Sequence, residues 1–550
     1  MDCASHLKIL PSTTGEQIRD TSRPVVLIGF QRHSNLGLGY LAATLASRGY
    51  EVKIFDFEVE RHKILKAVKA LDPVLVGFSL IFQSYVNWFG ALARYLRDNG
   101  VVCHFVIGGH FPSLSHERTF ALIPELDSVV RFEGEETLLE LADRLSTDRD
   151  WRALEGLSYK DGETIVATPL RPLIKDLDAL PYPIRTFEKN TILGRNATPI
   201  LASRGCARTC SFCSIHMFYR TAPGKVVRTR KPEEVAREMR YLFEEHDITI
   251  FLFQDDDFPL YGAVWRQWAH NFLAELHRND LPGRVVWKIN CRADAVEPDL
   301  FREMKAAGLY LVYMGLESGS EEGLRTLHKQ ITVEQNLRAV RILKETGVIF
   351  EFGFMLLDPS SSFESVRENL DFLRAIVGDG SAGASFGRMA PYDGTPIKDE
   401  LEKSGRLRGD VCKPDYDFLD PKLTRFYREI LTIVEATGWT HASNALTLQL
   451  NFAWNEAALI ELLAPRVPGL SAYKDRLREI TSDSNNALIQ AIEDTSYAVC
   501  EGRPRRWSLT SLRAQCENFA DRLETHRRAY ILRNQDLLLS TLRREGRAAC

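Results

Sequence analysis

Apolar and polar positions along this chain fall into two rhythms that take turns. Short runs of apolar residues alternate with stretches of helical period. Residues 24–30 (Pro-Val-Val-Leu-Ile-Gly-Phe) are apolar almost throughout, as a parallel strand buried on both faces should be. A Gly-rich turn follows at Asn35–Gly39, then a helix over 40–48, a strand over 51–56 and a basic amphipathic helix over 60–70. Strand 74–79, helix 84–98, strand 101–107, a strand beginning at Val129 and a helix over 136–145 continue the series. Such alternation predicts a doubly wound α/β sheet, with ligands at the carboxyl ends of its strands. The rhythm breaks over 146–195, where Asp161-Gly162 marks a hairpin turn and Leu180-Pro-Tyr-Pro183 a stiff extended connector.

From Thr198 the alternation restarts. Strands are expected over 199–203, 248–253, 285–290, 309–314, 349–356 and 383–389. Helices are expected over 231–246, 264–278, 298–307, 333–346 and 362–376. These strand–helix units suit a partial barrel of the (β/α)6 kind, with functional groups on the loops after each strand. Beyond 400 helical period dominates, as in 423–437 and 508–533, and Trp439, Trp454 and Trp507 are the expected core. The expected division is a polar tail (1–22), a Rossmann-like domain (23–148), a linker (149–195), the partial barrel (196–400) and a mainly helical C-terminal domain (401–550).

Composition narrows the picture. At 550 residues, 45% hydrophobic and 26% charged, the chain has the make-up of an ordinary multidomain globular protein. A net charge of -4 speaks against nucleic-acid binding, and the one basic concentration (Arg503, Arg505, Arg506, Arg543, Arg544, Arg547) reads as a solvated face. No apolar run is long enough to span a bilayer, and the first 23 residues lack a signal peptide's apolar stretch, so the cytoplasm is the expected location. Of the ten cysteines only three cluster, which suits a reducing compartment; Cys3, Cys103, Cys412, Cys500, Cys516 and Cys550 read as ordinary thiols.

The three that cluster are Cys206, Cys210 and Cys213, spaced C-x3-C-x2-C. Thiolates this close suit a soft metal centre, and three ligands where most clusters use four leave one metal position open. His216 could instead complete a zinc site, or the thiols could be unrelated. The run Arg204-Gly-Cys-Ala-Arg-Thr-Cys-Ser-Phe-Cys213 resembles the signature of the radical S-adenosylmethionine (SAM) enzymes. The resemblance implies a [4Fe-4S] cluster on the three cysteines, with SAM chelating the fourth iron and its reductive cleavage giving a 5'-deoxyadenosyl radical. It also implies that Phe212, the aromatic residue before the last cysteine, lies near the adenine.

The N-terminal sheet adds to this resemblance. Gly37-x-Gly39, Ser79 after the third strand, Gly108-Gly109 and Gly134-Glu135 together resemble the cobalamin-binding domain of one large subclass of the family. They are its expected cofactor-binding positions; the alternative is a flavodoxin-like domain that has lost its cofactor. The Asp-x-His-x-x-Gly motif that supplies a lower cobalt ligand elsewhere is absent: none of the 13 His residues has an Asp two positions before it. In the barrel, Phe253-Gln-Asp255-Asp256-Asp257-Phe258 resembles the Phe-x-Asp-Asp-x-Phe stretch of that subclass, with Asp255 and Asp256 as acceptors for the SAM ammonium. Those aspartates also read as a helix cap with solvated neighbours. Arg292 is expected either on the SAM carboxylate or paired with Asp294 or Glu297. Gly315-Leu-Glu317-Ser318 resembles the family's Gly-x-Glu-Ser motif, which contacts the ribose or methionine end of SAM; the alternative for Ser318 is a helix cap. Leu356-Leu357-Asp358-Pro359 departs from the family's usual Gly-x-Pro-Gly-Glu.

Taken together, the resemblance implies a cobalamin-dependent radical SAM enzyme that methylates an unactivated carbon of a small-molecule or peptide substrate. A flavodoxin- or ferredoxin-type electron donor goes with it. The nearest alternatives are ring contraction or oxidative cyclisation by the same apparatus, then a non-catalytic cobalamin or Fe-S sensor.

Overall fold

The structure is a computed structural model that describes residues 21–33, 35–185, 190–440 and 443–538. Nearly all of the expected polar tail, Cys3 and Cys550, and Arg543, Arg544 and Arg547 lie outside the described residues. The chain forms two compact units. One comprises Met1–Glu188, Ser203–Lys231 and Ala390–Asp415; the other comprises Lys189–Ala202, Pro232–Met389 and Tyr416–Cys550.

The first unit is built on a seven-stranded sheet of order β2-β1-β3-β4-β5-β6-β7. Its strands are β1 (Val25–Gly29), β2 (Val52–Asp56), β3 (Leu75–Ser79), β4 (His104–Gly108), β5 (Ser128–Val130), β6 (Leu157–Asp161) and β7 (Thr164–Ala167). The first five run parallel and the order reverses between β1 and β3, the doubly wound topology the alternation predicts. Both faces are covered. Val26, Ile28, Val76 and Phe78 pack into one apolar cluster with Phe89 and Leu96, while Val25, Leu27 and Leu75 pack into another with Leu38 and Leu141. Consecutive side chains therefore point to opposite apolar layers, and this is why β1 carries no polar position.

Three boundaries differ from expectation. The first helix starts at Leu36, capped by the Asn35 side chain, so Gly37 and Gly39 lie in its first turns and not in a preceding turn. β4 starts at His104, because Val101 N–H still bonds the Leu96 carbonyl and closes the preceding helix. The hairpin β6–β7 pairs antiparallel onto β5 and extends the sheet, so it does not belong to a linker.

The second unit holds another seven-stranded sheet. Its strands are β8 (Asn190–Ile192), β9 (Arg195–Ile200), β12 (Ile248–Phe253), β13 (Val286–Cys291), β14 (Leu309–Glu317), β15 (Ile349–Leu357) and β16 (Gly387–Arg388). Between β9 and β12 in sequence, β10 (Ser203–Arg204) and β11 (Arg228–Thr229) form a small antiparallel pair within the first unit. Six strands, β9 and β12 to β16, run parallel in sequence order, the partial (β/α)6 barrel expected. The last is short for a reason. The Gly383 N–H bonds Asn451 Oδ1 at 2.8 Å and the Ala384 N–H bonds Asn485 Oδ1 at 2.8 Å. Side chains of the C-terminal helices thus take backbone groups that a longer strand would give to the sheet. Those helices are Pro421–Thr437, Leu446–Leu463, Leu470–Glu501 and Leu509–Arg533. Trp439 and Trp454 are buried among them as expected, but Trp507 is only partly buried. A short strand pair, Leu407–Gly409 with Pro414–Tyr416, had no signal in the periodicity.

Candidate functional site

The three cysteines sit on a loop whose two flanks are fixed within the first unit. Arg204 donates to Glu133 (3.2 Å) and Glu135 (2.6 Å), and Arg228 donates to Glu133 (2.7 Å). All four side chains are buried, and the Arg204 guanidinium also lies 4.9 Å from the Tyr40 ring. Burial pushes the Glu133 carboxyl up, but Arg204 and Arg228 outweigh it and hold it below the usual glutamate range. Gly205 has φ +89°, and a Cβ there would lie 2.0 Å from the Val226 carbonyl oxygen, so only glycine fits between the flanks. An apolar cluster of Phe132, Leu173, Phe218, Tyr219 and Ala222 fastens the helix that follows. These contacts are why Ser203–Lys231 groups with the first compact unit.

Within the loop Cys210 is buried, Cys206 and Cys213 are half-buried, and none of the three is in a disulfide. The Cys213 N–H bonds the Cys210 carbonyl at 3.2 Å, and Cys213 is the N-cap of the helix Ser214–Thr221. That helix has no acidic residue in its first turn, so its positive end faces the loop unopposed. Three thiols on one loop that runs into a helix N-terminus fit an anionic Fe-S cluster, in which each thiolate takes a different iron. His216 is buried against the backbone of Cys210 and Cys213, and burial lowers its pKa. Among the described residues no three His, Cys, Asp or Glu side chains converge as the ligands of one ion do. Phe212 is half-buried on the same loop.

The expected cofactor positions of the first sheet divide into two groups. Ser79 and Gly108 are register partners at the carboxyl ends of β3 and β4, half-buried, with Gly109 next in the chain. Gly109 has φ +115°, and a Cβ there would lie 2.2 Å from the Leu80 carbonyl oxygen. Gly37 is exposed, with only the Asn35 side chain near it. Ser79 and Gly108 lie at the strand ends, Gly109 is packed against the Leu80 backbone beside them, and Gly37 is exposed in the first turn of the helix. The others are taken up by packing. A Cβ on Gly39 would lie 2.6 Å from the Ile184 carbonyl oxygen, and the Ile184 N–H bonds the Gly39 carbonyl, so this glycine lets the connector pack closely. Gly134 faces Val130 and Leu41, and the Glu135 carboxylate is committed to Arg204.

In the second unit the strand-end groups gather on β12, β13 and β14. Asp255 is buried and accepts from the Ala202 N–H at 3.2 Å, whereas Asp256 is exposed. Neither caps a helix, since the next one starts at Ala263 behind Gly262. Arg292 is buried and donates to Asp294 Oδ1 (3.0 Å) and to the Lys329 carbonyl (2.7 Å); Glu297 is not its partner but that of Arg338. Glu317 ends β14 at φ +64°, a left-handed conformation that is uncommon outside glycine and is held here by its surroundings. Its carboxylate accepts from Lys329 Nζ at 3.0 Å, a buried pair the motif did not reveal. Ser318 donates to Asn369 Oδ1 (3.0 Å) and accepts from the Ser320 N–H (3.1 Å), while Ser320 is the residue that caps the next helix. The Ser318 hydroxyl therefore fixes the loop.

The inner face of the barrel was also missed. Along β15 half-buried and buried residues alternate from Ile349 to Leu356. Phe354 stacks on Phe372 and Phe253 packs on Phe272, so one set of residues faces the helices. The other set, Lys288, Asn290, Tyr313, Gly315, Glu351 and Gly353, faces inward. In register, Asn290 is beside Tyr313, Tyr313 beside Glu351, and Gly315 beside Gly353. Below this row the helix Leu446–Leu463 closes the inner face with Leu459 and Leu463 against Ile250, Val286 and Leu311. Alternation in Ile-Phe-Glu-Phe-Gly-Phe-Met was the available signal.

Two family models match the chain: the B12 binding domain over residues 24–142 and the radical SAM superfamily over 200–373. An uncharacterized methyltransferase of Pyrococcus horikoshii is 31% identical over 372 residues, covering 66% of this chain and 77% of that one. The anaerobic magnesium-protoporphyrin IX monomethyl ester cyclase of Rubrivivax gelatinosus is 30% identical over 400 residues, 70% of this chain and 68% of that one. Among solved structures, the cobalamin-dependent S-adenosylmethionine radical enzyme OxsB with aqua-cobalamin bound aligns with a TM-score of 0.67 at 18% identity, covering 95% of this chain and 84% of that one. The chain belongs to the B12-binding radical SAM enzymes, and its cofactors are those of the family: cobalamin, SAM and a [4Fe-4S] cluster. Among the described residues no helix is long and apolar enough to cross a membrane.

Proposed function

We propose that this cobalamin-dependent radical SAM enzyme transfers a methyl group to an unactivated carbon of a small, natural-product-type substrate. The reading rests on one observation: a chain with both cofactor domains is similar over most of its length to a methyltransferase. When bound, the cluster, SAM and cobalamin supply the radical and the methyl group.

The chain's own residues bind and orient. Cys206, Cys210 and Cys213 would each hold one iron and leave the fourth to SAM, with Phe212 beside the adenine. Asp256, exposed next to the anchored Asp255, would accept from the SAM ammonium. Arg292 and Glu317 would meet the carboxylate and ribose from their fixed positions, with Lys329 holding the Glu317 carboxylate in place. Ser318 would act through the loop it fixes. Gly37, Ser79, Gly108 and Gly109 would let cobalamin approach the backbone at the sheet's carboxyl edge. A flavodoxin- or ferredoxin-type protein would deliver the electron.

Anaerobic turnover with labelled SAM, reductant, cobalamin and an extract of the source cells tests the reading. Methyl transfer requires 5'-deoxyadenosine and S-adenosylhomocysteine in equal amounts, with label in the product. 5'-Deoxyadenosine alone would favour the second reading, cyclisation or ring contraction, which the resemblance to the anaerobic cyclase supports. SAM binding with no cleavage would favour a sensor.

A further inference from the structure

We propose that the inward row Lys288–Asn290–Tyr313–Glu351 is the substrate-recognition surface, and that the substrate is a compact molecule carrying an anionic oxygen group, carboxylate or phosphate. This rests on the proposed function, whose substrate it narrows.

The row holds polar groups that the fold leaves incompletely used. Lys288 Nζ donates to Asn290 Oδ1 at 2.7 Å and forms no ion pair among the described residues. An ammonium has three donors, so two remain for a ligand. Burial pushes its pKa down, which an arriving anion would reverse. Tyr313 is 39% exposed, and its hydroxyl has no hydrogen-bond partner among the described residues. Burial pushes the phenol up to about 12, so it stays a donor at neutral pH. Glu351 accepts from Asn455 Nδ2 at 3.1 Å through one oxygen, leaving the other for a substrate hydroxyl or amine, and burial raises its pKa.

The backbone makes room at the same place. Gly315 and Gly353 are register neighbours just above the row. A Cβ on Gly353 would lie 2.9 Å from the Tyr313 hydroxyl, and one on Gly315 would lie 2.2 Å from Glu317 Oε1. Two side-chain-free positions thus keep the Tyr313 tip and the Glu317 carboxylate over one groove. From the strand of Lys288 to that of Glu351 is two strand spacings, about 10 Å. The apolar floor of Leu459, Leu463, Ile250 and Leu311 stops a ligand from going deeper. A molecule anchored on Lys288 and Tyr313 would therefore hold its remaining carbons toward the strand ends that carry Asp256, Arg292 and Glu317.

The test uses the full-length holoprotein and the small-molecule fraction of the source cells, divided by anion exchange into retained and flow-through pools. Each pool is incubated with wild type, Lys288→Met, Lys288→Arg and Tyr313→Phe, each checked for its melting temperature. Protein-bound molecules are then recovered by gel filtration and weighed by mass spectrometry. The expected result is a molecule from the retained pool on the wild type, reduced about tenfold or more by Lys288→Met, partly restored by Lys288→Arg and weakened by Tyr313→Phe. Phosphatase treatment of the pool distinguishes the sources, since it abolishes capture of a phosphate and spares a carboxylate. A bound molecule from the flow-through pool, equal capture by wild type and Lys288→Met, or no capture from either pool overturns the inference. Failure of the proposed function looks different: the acidic molecule binds but yields no labelled product on turnover.

Discussion

The two parallel sheets of this protein are built from similar apolar sequences but treat their faces differently. Every residue of β1 is buried, because helices cover both faces of the first sheet. In β15 every second residue through Met355 is only half-buried, because helices cover one face and the other lines the barrel's interior. The first sheet therefore offers ligands only the ends of its strands. The second offers strand ends and a wall, and the wall carries Lys288, Tyr313 and Glu351. Chemistry that must enclose a substrate suits the second arrangement, and a cofactor laid against an edge suits the first.

The comparison is broken most directly at the cysteine loop. Replacing Cys206, Cys210 or Cys213 by Ala should remove the cluster and reduce 5'-deoxyadenosine formation to background, with iron and sulfide analysis as the check; full retention of both would show that the thiols are not ligands. The same variants should leave cobalamin absorbance largely in place, since the sheet edge is built independently.

Next in size are the buried ion pairs. Arg204→Met leaves Glu135 buried without its partner and Glu133 with Arg228 alone, and should cost about 3–5 kcal/mol in urea unfolding. Its pH dependence has a defined sign. Glu133 is held below the usual range in the fold, so its contribution is present at neutral pH and is lost as pH falls through that depressed value. In Arg204→Met the loss should begin at higher pH, and identical acid profiles would refute the pairing. In the second unit, Lys329→Met should cost a similar amount and weaken SAM binding, because the left-handed Glu317 loses its anchor. Unchanged SAM affinity would detach that pair from the cofactor.

Smaller effects separate the glycines. Gly109→Ala forces Cβ against the Leu80 carbonyl at a positive φ and should destabilise by about 1–3 kcal/mol. Gly37→Ala, exposed in a helix, should be neutral or stabilising by less than about 1 kcal/mol. A Gly37→Ala protein of normal stability with weakened cobalamin binding would assign Gly37 to the cofactor; unchanged binding would remove it.

The alternation of apolar runs and helical stretches was enough to place both sheets, since strand burial and helix period are local properties of the chain. The C-x3-C-x2-C spacing likewise announced its chemistry, because ligands on one loop are neighbours in sequence. What the sequence could not decide was which polar group meets which. Glu135 resembled a ligand contact until Arg204, 69 positions later, took its carboxylate. Lys329 carried no motif, yet it holds Glu317. Asn451 and Asn485 shortened the last expected strand from helices far along the chain. Lys288, Tyr313 and Glu351 became one surface only when three strands were laid in register. Ion pairing and hydrogen bonding act through space over a few ångströms, and only the tertiary fold brings those distances about.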